Sequence, residues 1–236
     1  MLDELESVMV TQVLRVKMLR VKICGITSSE QGTAIAALGA HSIGFICVRK
    51  SPRYVTPEQI KAIASVLPKE VDRVGVFMNT SVNGIVEIVK ESGLTSVQLH
   101  GEESVEFCIE LRSVLREQIR DSSIELIKAF RIESAAGLVK THPYSAVVDW
   151  LLLDAYHPTM GGGTGLTLDW STLGNFKPAV PWLLAGGLNP DNVQDALQTI
   201  GRTIGPQGID LSSGVERSPG DKDLGKVARL FENLKD

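Results

Sequence analysis

Trp182-Leu183-Leu184-Ala185-Gly186-Gly187-Leu188-Asn189-Pro190, then Val193, Ala196, Leu197 and Ile200, then Gly208-Ile209-Asp210-Leu211-Ser212-Ser213-Gly214: this stretch decides the fold. A short apolar run without polar alternation reads as a strand covered on both faces. Two glycines end it. The next apolar residues fall at i, i+3, i+4 and i+7, the single stripe of a helix packed on a sheet. A second short apolar run follows. A strand that leaves through a helix and returns beside itself makes a right-handed βαβ unit with parallel pairing.

The same alternation extends back to the start of the chain. Strand-like runs occur at Arg20–Cys24, Ser42–Cys47, Arg73–Phe77, Ser96–Leu99, Glu125–Ala129 and Trp150–Asp154, before Trp182–Ala185 and Gly208–Leu211. Helical patterns separate them. Thr56 is placed to cap a helix, Pro57 suits its first position, and Gln59 completes a capping box ahead of Ile60, Ile63, Ala64 and Leu67. Leu224, Val227, Ala228 and Phe231 form a further stripe near the C-terminus. Eight such units in 236 residues match an α/β fold of the closed (β/α)8 type, a TIM barrel. The competing architecture is a doubly wound open sheet. That fold often carries GxGxxG after its first strand, where this chain has Cys24-Gly25-Ile26-Thr27. The expected organisation is a single barrel domain over residues 18–236, preceded by a poorly ordered N-terminal extension over residues 1–17.

Composition narrows the function classes. Hydrophobic residues make up 43% and charged residues 22%, enough for an ordinary core. The 24 basic and 28 acidic residues give a net charge of -4 with no basic block, so nucleic acid is not an expected partner. The apolar runs are too short to span a bilayer, so neither is a membrane. Cys24, Cys47 and Cys108 cannot all pair within one chain and show no CxxC spacing, which argues against a disulfide framework or a zinc site. No metal is expected, and free thiols fit a reducing, cytoplasmic setting. Asp3, Glu4 and Glu6 argue against a signal or transit peptide. A monomer is the working expectation, although the sequence does not fix the number of subunits.

Barrel enzymes carry their chemistry at the C-terminal ends of the strands and in the loops that follow. The unusual residues of this chain collect there. Cys24 ends the first strand, Arg53 lies after the second, Asn79 after the third, His100 after the fourth and Arg131 after the fifth. Asp154 directly follows Leu151-Leu152-Leu153. A carboxylate at the end of a buried strand is costly unless it is paired or used, so a salt bridge and a catalytic role both account for it. Ala185-Gly186-Gly187 and Ser212-Ser213-Gly214 gather small residues where barrels frequently bind a substrate phosphate through main-chain amides. Gly161-Gly162-Gly163-Thr164-Gly165 forms a third such loop after strand six, without nucleotide-binding spacing. Any one of these loops is equally a tight turn; on successive strands they point to a small phosphorylated ligand. Gly163, Gly165, Gly186, Gly187, Ser212, Ser213 and Gly214 are the expected contacts. Cys47 and Cys108 read as core, as does Cys24 taken alone. His41 and His142 sit beside turns, and His157 lies in a loop of the active face.

Taken in order, Val21-Lys22-Ile23-Cys24-Gly25-Ile26-Thr27, Ser51-Pro52-Arg53-Tyr54, Val74-Gly75-Val76-Phe77, Val97-Gln98-Leu99-His100-Gly101-Glu102, Leu152-Leu153-Asp154, Gly162-Gly163-Thr164-Gly165, Leu184-Ala185-Gly186-Gly187-Leu188 and Asp210-Leu211-Ser212-Ser213-Gly214-Val215-Glu216 resemble phosphoribosylanthranilate isomerase. The resemblance runs from about residue 18 to the C-terminus. That family performs an Amadori rearrangement, an aldose–ketose isomerisation in tryptophan biosynthesis, by general acid/base catalysis without a cofactor. The resemblance implies Cys24 as general base, Asp154 as general acid and Arg53 on the anthranilate carboxylate, with His100 and Asp210 among the substrate-binding positions. Many relatives carry lysine where this chain has Leu166, which implies weaker attraction for the phosphate. Such chemistry requires a neutral carboxyl at Asp154 and a thiolate at Cys24, so burial or charge must shift both groups from their ordinary pKa values. Lys22 helps the thiolate only if it faces the same side of the strand. The neighbouring enzyme families with phosphate-binding barrels, and a non-catalytic barrel that merely binds a phosphorylated ligand, share the small-residue loops but not the pairing of Cys24 with Asp154.

Overall fold

The computed structural model describes residues 19–119, 124–154, 170–201 and 205–235. The expected extension over 1–17 lies outside them, as do His157, Gly163, Gly165 and Leu166. Eight parallel strands close on themselves in sequence order: β1 (Arg20–Cys24), β2 (Ser42–Ile46), β3 (Asp72–Phe77), β4 (Ser96–Leu99), β5 (Glu125–Arg131), β6 (Trp150–Asp154), β7 (Trp182–Ala185) and β8 (Gly208–Leu211). The helices α1 (Ser29–Ala37), α2 (Pro57–Ala64), α3 (Val82–Ser92), α4 (Val105–Gln118), α5 (Val193–Ile200) and α6 (Leu224–Asn233) lie between and after the strands. The sequence signals act locally. Thr56 caps α2 and makes the reciprocal capping box with Gln59. The chain between β5 and β6 is 3-10 rather than α over Ala135–Ala146, and Pro143 inside it lacks the N–H an α-helix would use. Arg131 is the exposed last residue of β5, not part of the loop after it. His41 is half-buried, and its Nδ1 accepts from the Val21 amide.

Two hydrophobic layers hold the barrel. Outward-facing Val21, Ile23, Phe45, Leu99 and Leu151 join the helices in one large cluster. Val74, Ile127, Ala129, Leu152, Leu183 and Ala185 form a separate cluster inside the ring. The parallel registers fix which inward residues share a level. Advancing two residues for every second strand, the pairings return to their starting point. Lys22, Val74, Ile127 and Leu183 form one level, contributed by alternate strands as in other packed barrels. Gly44, Gln98, Leu152 and Asp210 form the next, and Cys24, Val76, Ala129 and Ala185 the one above.

The N-terminal end of the ring is plugged. Arg20 reaches Glu125 at 2.7 Å, pairs with Asp72 and lies 4.7 Å from the Trp150 ring centroid. The C-terminal end carries the polar levels.

After β8 the chain turns into a short hairpin, β9 (Glu216–Ser218) with β10 (Asp221–Lys222). The hairpin folds back over the loop after β1: Thr27 donates its hydroxyl to the Gly220 carbonyl at 2.7 Å, and Gln31 donates to Asp221 at 2.7 Å.

Candidate active site

A cavity of about 300 Å³ opens at the C-terminal end of the barrel. Cys24, Arg53, His100, Asp154, Asp210, Gly186, Gly187, Ser212, Ser213 and Gly214 all line it, so the described part of the expected site comes together in one place. A second cavity of about 290 Å³ lies beside Arg112, Glu125 and Asp149, at the other end of β5. Arg116 also lines it, and both its carboxylates are already in ion pairs, Asp149 with Arg112 and Glu125 with Arg20.

Cys24 sits at the inward end of β1 and is 5% exposed. Its sulfur occupies the space a side chain would take at position 44 of β2: a Cβ on Gly44 would lie 2.7 Å from it. Below it, Lys22 points into the barrel, fully buried, with Nζ 2.9 Å from Oδ1 of Asp210. Burial pushes the Cys24 thiol up, and the Lys22 and Lys222 ammonium groups pull it down without overcoming that burial. The thiol form is thus favoured, opposite to what a resting thiolate needs. For Lys22, burial works against the charge, but Asp210 and Cys24 together outweigh it and push the ammonium's pKa up.

Asp154 ends β6, across the ring from β1. Its Oδ2 lies 3.6 Å from Nε2 of His100, with its side chain 17% exposed. Nδ1 of His100 is 3.0 Å from the side-chain amide nitrogen of Gln98. With the amide in this orientation, Nδ1 accepts and the ring proton sits on Nε2, facing Asp154. Gln98 is 1% exposed and lines the cavity, and its Oε1 has no hydrogen-bond partner among the described residues.

Arg53 presents its fork to Glu216. Nε donates to Oε1 at 2.9 Å and Nη2 to Oε2 at 2.6 Å. Glu216 also receives Nζ of Lys222 at 2.7 Å and the Gly220 amide at 3.2 Å. Burial alone would raise the Glu216 carboxyl, but its hydrogen bonds from Arg53 and Lys222 hold it at about 2. Lys222 is fully buried and also donates to the Ser212 carbonyl at 3.2 Å, while the Ser212 hydroxyl donates to the Cys24 carbonyl at 3.0 Å. One hydrogen-bonded cluster therefore ties the loops after β1, β2 and β8 together.

The loops after β7 and β8 are as tight as their composition implies. Gly186 and Gly187 take φ of 92° and 66°, in the left-handed region. A Cβ on Gly214 would lie 1.9 Å from the Leu188 carbonyl oxygen, so the two loops touch at that point.

Sequence reasoning assigned no role to Gln98, Glu216 or Lys222. Gln98 left a readable signal, a polar residue at an inward position of an otherwise apolar strand. Glu216 and Lys222 left none, because their burial arises only when the hairpin folds over the loop after β1. Among the described residues, no group of three or more His, Cys, Asp and Glu side chains could hold a metal ion, and no helix is long and apolar enough to cross a membrane.

The family model described as N-(5'phosphoribosyl)anthranilate (PRA) isomerase matches residues 21–233. A protein named N-(5'-phosphoribosyl)anthranilate isomerase from Gloeothece citriformis is 55% identical over 216 residues, covering 92% of this chain and 94% of the relative. Its namesake from Nostoc punctiforme is also 55% identical, covering 92% and 98%. The crystal structure of phosphoribosyl anthranilate isomerase from Thermotoga maritima is similar with a TM-score of 0.81 and 36% identity, over 92% of this chain and 99% of that one. A structure of such an isomerase in complex with reduced 1-(o-carboxyphenylamino)-1-deoxyribulose 5-phosphate is similar with a TM-score of 0.78 and 34% identity, over 92% and 99%. The chain belongs to the N-(5'-phosphoribosyl)anthranilate isomerase family.

Proposed function

We propose that this chain isomerises N-(5'-phosphoribosyl)anthranilate to 1-(2-carboxyphenylamino)-1-deoxyribulose 5-phosphate, the Amadori step of tryptophan biosynthesis, with Asp154 as general acid and Cys24 as general base. The observation that carries the residue assignment is the placement of that carboxyl and that thiol on two sides of one cavity, beneath the small-residue loops after β7 and β8.

The chemistry follows from the substrate. Asp154 protonates the ribose ring oxygen; the C1–O bond breaks as the anilino nitrogen donates its lone pair, giving an open-chain iminium. Cys24, as thiolate, removes the C2 proton; the electrons move into the C1–C2 bond and neutralise the nitrogen. The resulting enaminol becomes the ketone when a proton returns to C1 and the C2 hydroxyl loses its own. The substrate nitrogen supplies the electron push. Positioned acids and bases each contribute about 100- to 10,000-fold.

The remaining residues position the substrate. Amides of Gly186, Gly187, Ser213 and Gly214 suit the phosphate, while the Ser212 hydroxyl, donated to the Cys24 carbonyl, fixes the loop that presents them. Arg53 keeps Nη1 for the anthranilate carboxylate while Glu216 orients its other edge. The fluorescence of freshly generated phosphoribosylanthranilate tests the reaction directly: it decays faster with the purified protein than without it, and equal decay rates would overturn the reading.

A further inference from the structure

We propose that Lys22, fixed by Asp210, is the counter-ion that allows Cys24 to become a thiolate, and hence a positioning residue for the base of this reaction. The inference rests on the reading of Cys24 as the base.

A fully buried lysine inside a barrel is expensive, and simple packing would have used an aliphatic side chain. This one stands on the same face of β1 as Cys24, two residues before it, and points into the barrel below the thiol. Its ammonium interacts with both the Asp210 carboxylate, 2.9 Å away, and the thiol. Cys24 itself lies in a site with almost no solvent, 5% exposed, where an unaccompanied sulfur anion would be strongly disfavoured. The other charged and titratable groups around it are Asp210 on β8, Lys222 on β10, Arg53 after β2, Cys47 at the end of β2, and His100 and Asp154 on the far wall. Of the cations, Lys222 and Arg53 are both committed to Glu216. Lys22 is the one whose partner, Asp210, also lies beside the sulfur. When Cys24 loses its proton, Lys22 already sits between two anions and nothing needs to move. When Cys24 holds the proton taken from substrate C2, the Lys22–Asp210 pair remains neutral as a unit. Asp210 thus holds the cation in place while opposing the thiolate electrostatically.

Opposite signs at the two partners make this testable without turnover. The Cys24 thiolate is titrated by its ultraviolet absorbance, with Cys24→Ser as the blank, in the wild type and in Lys22→Met, Lys22→Arg, Asp210→Asn and the Lys22→Met/Asp210→Asn double variant. Lys22→Met should lower the thiolate fraction at a fixed pH by about tenfold or more. Lys22→Arg should restore most of it, and Asp210→Asn should raise it. The double variant, which leaves no buried charge unpaired and so guards against misfolding of the single one, should show more thiolate than Lys22→Met. An unchanged or higher thiolate fraction in Lys22→Met, or a lower one in Asp210→Asn, would make the pair purely architectural and overturn the inference. Failure of the base assignment shows differently, as full turnover by Cys24→Ser.

Discussion

Gly44 and Cys24 face each other across neighbouring strands so closely that a Cβ on the glycine would lie 2.7 Å from the sulfur and 3.0 Å from the Cys24 Cα. The second strand gives up its side chain at this level to make room for the thiol. Gly44→Ala should therefore displace Cys24, costing about 1–3 kcal/mol as an overpacked core position does. Thermal melting together with kcat checks it: both should fall, and an unchanged kcat would mean that the position of the sulfur does not matter.

Asp154 and His100 meet at 3.6 Å on the far wall. Asp154→Asn keeps the shape and removes the transferable proton. Steady-state kinetics should show kcat lower by about 100- to 10,000-fold, with substrate still bound. A near-normal kcat would remove Asp154 from the acid role.

Gln98 holds Nδ1 of His100 from below and carries an Oε1 that has no partner among the described residues. Gln98→Leu removes both atoms. Losing the orphaned acceptor should offset part of the lost hydrogen bond, leaving the melting temperature within a few degrees of wild type. The imidazole would lose its fixed tautomer, so kcat should fall by roughly tenfold. A large drop in stability with unchanged kcat would make Gln98 a packing residue only.

Glu216 gives the fold a pH dependence of known sign. Its folded-state pKa, about 2, lies below the ordinary value of a glutamate. The Arg53–Glu216–Lys222 cluster thus contributes stability that is present above about pH 4.3 and is lost as the pH falls towards the folded value. The loss should amount to roughly 2 kcal/mol after allowance for screening. Glu216→Gln should flatten this part of the acid-stability curve in denaturant melts at stepped pH. It should also raise KM more than it lowers kcat, because Arg53 loses its orienting partner. A curve as steep as that of the wild type would place the acid sensitivity elsewhere.

The fold was legible because its signals are local. The apolar run Trp182–Ala185 and the capping box at Thr56 are each set by residues within a few positions of one another. Strand ends were legible too, since Cys24 and Asp154 break the apolar pattern there. What the sequence concealed depends on contacts far apart in the chain. Glu216 and Lys222 carry no local sign of burial, which arises only when the hairpin folds onto the loop after β1. Lys22 could be placed inside the barrel only through the register of β1 against β8, where it pairs with Asp210. The electrostatics were hidden for the same reason. The ordinary thiol value says nothing of the burial that pushes Cys24 up.

The central claim is that one thiol and one carboxyl on two sides of a single cavity perform the two proton transfers. The most direct measurement compares kcat on freshly generated phosphoribosylanthranilate for the wild type, Cys24→Ala and Asp154→Asn, alongside the affinity of each for the reduced product analogue. Each substitution should cut turnover by about 100-fold or more while the analogue binds as it does to the wild type. Turnover close to wild type in either variant, with the protein folded and the analogue bound, would contradict the account.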